Sequence, residues 1–359
     1  MGLKPLKNPS KIAHNNRMAH PHLLKDVAYQ AGTSIATVDR VLHQRGGVRL
    51  HTVRRVEQAL QELERQKSQV GLVGRKFLLD VVMQTPDRFS QLVRSALERA
   101  MPTLHPAIFR ARYHLGEDLP VAQLVAMLDK IASLGSHGVL LKAPDVPEVV
   151  RAVARLQAKG IPVVTLVTDV PTSVRRAYVG MDNRAAGHTA AYLVAQWLGG
   201  GTPTATGVLI STSSNRFRGE EEREIGFRQA IRDRYPSLTV YEVSEGLGLH
   251  DATVALVRQR LRLCPEIAAV YSIGGANAAI LEAFAQLQRP CRVFIAHDLD
   301  ADNLTLLRAG QLQAVLHHDL QHDLRQACVH VMAAHGAVPV PLAPMRSSVQ
   351  VVTPFNAPE

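Results

Sequence analysis

From Phe77 onward, short apolar runs alternate with amphipathic stretches of helical period, and this alternation constrains the fold more than any other feature. The apolar runs lie near 77–84, 107–114, 138–142, 162–168 and 177–181, with a second set near 206–211, 239–243, 268–273, 291–296 and 313–317. Helical stretches fill most of the intervals, at 120–133, 183–198, 220–234, 250–263, 275–288 and 320–335. Strands joined by crossover helices form parallel sheets, because two parallel strands cannot be linked by a tight turn. Roughly 280 residues of such pattern exceed one doubly wound sheet, so the two sets predict two α/β lobes over 77–353. Ligands of these folds sit beyond the carboxyl ends of the strands, here where the lobes would face each other.

The preceding segment is different in charge. Residues 1–67 hold 12 Lys/Arg against 5 Asp/Glu, whereas the rest of the chain holds 29 against 26. A basic head on a near-neutral body points to a polyanionic partner. The first 21 residues mix Pro, Asn, Lys and His without periodicity and read as a disordered tail, with Met18 a candidate translation start. That tail has no apolar signal-peptide core, and no apolar run reaches the roughly 18 residues of a membrane span. Cys264, Cys291 and Cys328 are too few and too scattered for a disulfide framework or a zinc knuckle. The expectation is a soluble, cytoplasmic protein with no membrane partner.

Between the tail and the body, three helical patterns follow one another. Leu24, Val27, Ala28 and Ala31 share one helix face, and Gly32 breaks the run. Thr33-Ser34 offers an N-cap to a second helix over about Ile35–Leu42, with Val38, Val41 and Leu42 on its buried side. After Gly46-Gly47, the stripe Val53, Val56, Leu60 and Leu63 marks a third. Two helices joined by a tight glycine turn, with a third across them, form a helix-turn-helix whose second helix enters the DNA major groove.

The spelling of this head is specific. LKDVAYQAGTSIATVDRVLHQRGGVRLHTVRRVEQAL resembles the DNA-binding domain of the LacI/GalR family of bacterial repressors. Val27-Ala28, Ala31-Gly32-Thr33-Ser34, Thr37-Val38 and Arg40-Val41-Leu42 carry the likeness. It implies an all-α three-helix head over 22–66, a linker over 67–76, and a pseudo-palindromic double-stranded DNA operator bound by a homodimer, with a tetramer left open. By the resemblance, Ile35 and Ala36 read bases and suit a thymine methyl, while Arg40 reaches guanine. Ser34 and Thr37 contact phosphate, His43 stands where relatives carry asparagine, and Arg49 and Arg54, with Arg45 and Arg55, attract the backbone. Asp39 is a departure, an acid near phosphate. Leu72 is a candidate minor-groove wedge on a hinge helix, although Gly71 and Gly74 weaken any helix and leave a plain linker as the alternative.

The body resembles the type I periplasmic sugar-binding proteins, most clearly at Val179-Gly180-Met181-Asp182-Asn183 leading to Gly187, at Arg223-Glu224-Ile225-Gly226-Phe227, and at Phe294-Ile295-Ala296-His297-Asp298. The implied effector is a small sugar or polyol. Its hydroxyls would meet Asp298, Asp182, Asn183, Asp169, Asn277 and His318, and its ring would stack on Phe89. Strict spacing puts the family's ligand arginine at Glu221, so Arg218 or Arg223 must substitute, with Arg218 preferred. No cofactor, metal or catalytic group is expected. His317, His318, Asp319, His322 and Asp323 read as a capped helix start, Glu220 to Glu224 as an acidic first turn, and Trp197 as packing. A free-standing sugar-binding protein is the alternative function.

Overall fold

The computed structural model describes residues 22–199, 206–340 and 346–358. The tail over 1–21 and part of the glycine run after Gly199 lie outside the described residues. The chain divides into two compact units, Met1–Gly71 and Leu72–Glu359.

The first unit contains α1 (Leu24–Gln30), α2 (Ile35–Leu42) and all but the last residue of α3 (Leu50–Leu72). Its core is Val27, Ala28, Ala31, Val38, Val56 and Ala59, with Leu24, Val41, Leu42, Leu60 and Leu63 partly buried against it; Ala59 lies outside the stripe expected for α3. Gly32 turns the chain at φ +56°, a region most side chains avoid. The Ser34 side chain then accepts from the Thr37 amide at 3.2 Å and caps α2. Arg55 donates to the carbonyls of Ala31 and Gly32 at 2.5 and 2.8 Å, tying α3 to the turn. Residues 67–72, expected as linker, instead continue α3. One interior glycine costs a helix only about 1 kcal/mol, so Gly71 does not end it. Gly74, at φ +75°, lies just beyond the helix, where a left-handed residue closes a terminus.

The second unit begins with a five-stranded sheet of β1 (Lys76–Gln84), β2 (Ile108–Gly116), β3 (Gly138–Lys142), β4 (Val163–Leu166) and β5 (Ala177–Val179). Its strand order is β2-β1-β3-β4-β5, and every pairing is parallel. The helices α4 (Asp87–Ala100), α5 (Val121–Leu134) and α6 (Pro147–Ala158) connect the strands. A second sheet takes β6 (Thr206–Ser211), β7 (Leu238–Val243), β8 (Ile267–Ser272), β9 (Val293–His297), β10 (Ala314–His317) and β11 (Gln350–Val352). It is ordered β11-β10-β9-β8-β6-β7, with β11 antiparallel to β10. Its helices are α7 (Asn183–Trp197), α8 (Arg218–Arg234), α9 (His250–Leu263), α10 (Asn277–Gln286), α11 (Ala301–Arg308) and α12 (Leu320–Ala334).

Each sheet is covered on both faces, which is why its strands read as unbroken apolar runs. Along β1, Leu79, Val81 and Met83 join one core cluster while Val82 joins the cluster on the opposite face. Helix α12 follows a strand of the second sheet yet packs in the core of the first, through Leu320, Leu324, Ala327, Cys328 and Val331. The chain therefore passes between the lobes after β5, after β10, and again before β11. Two of these crossings are joined where the Ser347 amide donates to the Gly180 carbonyl at 3.1 Å. Trp197, expected to pack, is instead 44% exposed, with Tyr192 of the same helix also exposed. Among the described residues no helix is long and apolar enough to cross a membrane.

Gly187 and Gly226 let α7 and α8 touch. A Cβ at Gly187 would lie 2.0 Å from the Arg223 carbonyl oxygen and 2.7 Å from the Phe227 amide nitrogen. Gly187→Ala must push the helices apart, and overpacking of this kind costs about 1–3 kcal/mol. Urea unfolding of the variant is expected to show a lowered midpoint. An unchanged midpoint would contradict the close approach.

Candidate functional site

Because every strand but β11 runs parallel to its neighbours in its sheet, the carboxyl ends of these strands converge on one cleft between the two lobes. From the first lobe come Gln84 at the end of β1, Lys142 at the end of β3, Val167 and Thr168 after β4, and Arg88 and Phe89 in the first turn of α4. The second lobe supplies Ser213 after β6, Glu220 and Arg223 of α8, Ile273 after β8, and His297, Asp298, Asp300 and Asn303 around the end of β9. The lobes touch directly. The Gly219 amide donates to Thr168 Oγ1 at 2.9 Å, Arg88 Nη1 donates to the Gly248 carbonyl at 3.1 Å, and Arg88 Nε faces Asp300 at 3.4 Å. Val167 and Asp298 both adopt left-handed backbone, at φ +66° and +65°. Such strain in a β-branched residue persists only where the surroundings impose it, and it accumulates at ligand sites.

Three of the expected ligand residues line this cleft: Phe89, Arg223 and Asp298. Asp298 Oδ1 and Arg223 Nη2 are buried and have no hydrogen-bond partner among the described residues. A buried acceptor and a buried donor in residues of one cavity are groups that a polar ligand can pair with. Between the two candidate arginines it is Arg223, not the preferred Arg218, that reaches the cleft. Arg218 is spent on Glu221 at 2.8 Å and Glu222 at 3.4 Å. Asn183 stands behind the site: its Oδ1 accepts from Arg223 Nε at 2.8 Å and its Nδ2 donates to Tyr178 Oη at 3.1 Å. Asn277 is likewise a support, donating to Asn303 Oδ1 at 2.6 Å while Asn303 donates to the carbonyls of His297 and Asp298.

The remaining expectations are corrected. Asp169 does not line the cleft; Arg175 takes both its oxygens, one bond at 2.5 Å, and the Thr165 hydroxyl donates to it at 2.7 Å. Asp182 caps α7 through the Ala185 amide and pairs with Arg346 at 3.0 Å, outside the cleft. His318 is fully buried near the crossings, where its Nδ1 donates to Asp323 at 2.5 Å. Asp319 caps α12 through the His322 amide, so the histidine cluster is the capped helix start its sequence suggested. Among the described residues, no group of three or more His, Cys, Asp or Glu could hold a metal. Glu220 is more than a first-turn acid: its carboxylate accepts from the Ser213 amide at 2.6 Å and hydroxyl at 2.5 Å.

On the first unit, Ser34, Ile35, Ala36 and Arg40 of the capped α2 terminus and helix are exposed, with Thr37 half-buried. Ile35 is 52% exposed, an apolar side chain that the head itself leaves uncovered. Asp39 pairs with Arg45 at 2.9 Å and lies 3.0 Å from His43 Nδ1. Arg40, Arg49 and Arg54 are exposed and make no side-chain bond among the described residues, whereas Arg55 is held by the turn. Leu72, the candidate wedge, is instead 7% exposed in a core cluster with Phe77, Leu79 and Leu97 of the second unit.

The profile of the bacterial regulatory proteins of the lacI family matches residues 23–66, and that of the periplasmic binding protein domain matches 81–337. The chain carries the DNA-binding domain of the lacI family of bacterial regulatory proteins over 23–66 and belongs, through its body, to the periplasmic binding protein domain family. It is a DNA-binding transcription regulator. A search of curated proteins gives no match. Among solved structures, a glucose-galactose binding protein from Geobacillus stearothermophilus is similar, with TM-score 0.69, 21% identity, and coverage of 79% of this chain and 100% of that one. A protein described as a LacI transcriptional regulator from Bacteroides fragilis gives TM-score 0.67 at 17% identity, over 79% and 98% of the chains. A solute-binding protein from Agrobacterium vitis bound with alpha-D-tagatopyranose gives 0.69 at 16%, over 78% and 95%.

The polar residues of the regulator's cleft that the sequence pattern does not single out include Arg88, Lys142, Asp300 and Asn303. Burial lowers the Lys142 ammonium to about 8, although Glu220 and Asp298 support its charge. Burial holds His297 neutral, far below the usual imidazole range, with Arg223 adding to the effect. Burial also raises the Asp300 carboxyl to about 6, against the opposing pull of the Asn303 amide and Arg88. Between about pH 4 and 6 the folded regulator therefore binds a proton at Asp300 that the unfolded chain has lost, so this group's contribution to stability falls as pH rises through that window. Asp300→Asn, which keeps the cap, is expected to flatten the wild-type slope of urea midpoint against pH between 4 and 6. An identical slope in the variant would contradict the burial of this charge.

Proposed function

We propose that this regulator is a repressor that binds a pseudo-palindromic operator as a homodimer, with affinity set by a small sugar or polyol in the interlobe cleft. The observation that carries the reading is the cleft itself: a buried unmet acceptor on Asp298 and a buried unmet donor on Arg223 beside the apolar ring of Phe89. A polyol offers hydroxyls that both donate and accept, and a sugar ring offers a C–H face for an aromatic. The ligands of two similar proteins, the glucose-galactose binding protein and the one bound with alpha-D-tagatopyranose, agree with that chemistry. Such a role places the protein in the cytoplasm with its DNA.

In this account Ile35, Ala36 and Arg40 read base edges, Ser34 and Thr37 meet phosphate at the α2 N-terminus, and Arg49 and Arg54 add salt-sensitive attraction. Effector closes the lobes and shifts the operator affinity, a coupling for which 1–3 kcal/mol, roughly 5–150-fold, is ordinary. Two substitutions separate the two sites. Arg40→Ala should abolish the preference for operator over random DNA, read by fluorescence anisotropy, with effector affinity unchanged. Retained specificity would remove Arg40 from the reading helix. Asp298→Asn keeps a residue that tolerates left-handed backbone but loses the carboxylate, and should weaken effector binding by about 1.5–3 kcal/mol, roughly 10–150-fold, while operator binding without effector persists. Wild-type effector affinity in that variant would move the site out of the cleft.

A further inference from the structure

If the cleft is the effector site, one pair of charges in it is more than a neutral sugar needs. Lys142 ends a strand of the first lobe and Arg223 lies near the start of α8 in the second, and both line the cleft. They are 9% and 3% exposed. Both keep donors in hand. Of the three N–H groups of Lys142, one donates to the Gln84 carbonyl at 3.0 Å, and the Phe217 ring lies 4.3 Å from the nitrogen. Arg223 gives Nε to Asn183, while Nη2 has no partner among the described residues. These like charges come from opposite lobes: burial is the main load on the Lys142 charge, Glu220 and Asp298 favour it, and Arg223 disfavours it.

The carboxylates nearby are largely committed. Glu220 accepts from Ser213 through both oxygens, and Asp300 accepts from the Asn303 amide at 2.8 Å while facing Arg88. Glu117, at the exposed rim, accepts from the Asp87 amide at 2.9 Å. Asp298 alone keeps a buried oxygen without a partner among these carboxylates, as described. What the cleft leaves unmet is two cationic donors from facing lobes and one anionic acceptor.

We propose that the effector is a monoanionic polyhydroxy acid, a sugar acid, whose carboxylate lies between Lys142 and Arg223 while its hydroxyls donate to Asp298. This rests on the cleft being the effector site. Without an anion, closure brings two buried like charges together. A carboxylate between them turns that repulsion into two charge-assisted hydrogen bonds, so closure depends on the acid group. A neutral sugar leaves the spare N–H donors of Lys142 and Arg223 without a charged acceptor. A phosphate dianion adds a second negative charge to a cleft that already holds Glu220, Asp298 and Asp300.

The test is calorimetric titration of the full-length protein with matched pairs: D-glucose and D-glucuronate, D-galactose and D-galacturonate, D-ribose and D-ribonate, D-glucitol and D-gluconate, with D-glucose 6-phosphate added. At least one acid is expected to bind about tenfold or more tightly than its neutral partner and than the phosphate. Lys142→Met should remove most of that preference while a thermal melt confirms folding. If the variant does not fold, the wild-type preference decides alone. A neutral sugar or the phosphate binding more tightly than the acids overturns the sugar-acid inference but leaves the cleft reading intact. An acid that binds equally to wild type, Lys142→Met and Asp298→Asn overturns both, and silence across the whole panel overturns the inference.

Discussion

A parallel sheet returns the chain to the same edge at every crossover, and the chemistry of this body follows from that constraint. The carboxyl ends of β1, β3 and β4 open on one side of the cleft and those of β6, β8 and β9 on the other. Strand interiors are buried on both faces and must be apolar, so polar residues collect where the strands stop. There they are held by cross-lobe bonds, Gly219 to Thr168 and Arg88 to Gly248, and by the shelf of Asn277 and Asn303 beneath the Asp298 loop. The left-handed Val167 and Asp298 cost of order 1–3 kcal/mol each, and that outlay marks the two strand ends that shape the cavity.

Much of this was legible because periodicity reports burial. The stretches 138–142 and 250–263 coincide with β3 and α9, and the second head helix coincides with α2. The short β11 was not legible: three residues carry no period. Nor does anything local at His318 and Asp319 say that the chain there leaves one lobe for the other, and this is why His318 ended in a buried pair with Asp323 rather than in the cleft. Phe89, Arg223 and Asp298 were readable as strand-end or motif residues. Asp169, Asp182 and Arg218 had the same credentials but are held by Arg175, Arg346 and the Glu221–Glu222 pair; Glu221 and Glu222 are one helix turn from Arg218, whereas only the fold brings Arg346 to Asp182. Lys142 was visible as a charge closing an apolar run, and that signal went unused.

The head shows the same limit at smaller scale. Its core positions follow the helical period, and Ser34 caps α2 as the sequence suggested. Which arginines remain free does not follow from spacing. Arg55 is consumed by the glycine turn and Arg45 by Asp39, leaving Arg40, Arg49 and Arg54 exposed for a polyanion. Nor does spacing show that Leu72, a residue of the second unit, is buried against Phe77 and its neighbours there and is not an exposed wedge.

The central claim is that the cleft and the reading helix are energetically coupled. Reciprocity of binding free energies makes that claim directly measurable. With a DNA duplex that the protein itself selects from a random pool, operator affinity would be measured with and without saturating effector, and effector affinity with and without saturating operator. The account predicts that both affinities change by the same factor, about fivefold or more. Two affinities that are each independent of the other ligand would contradict it.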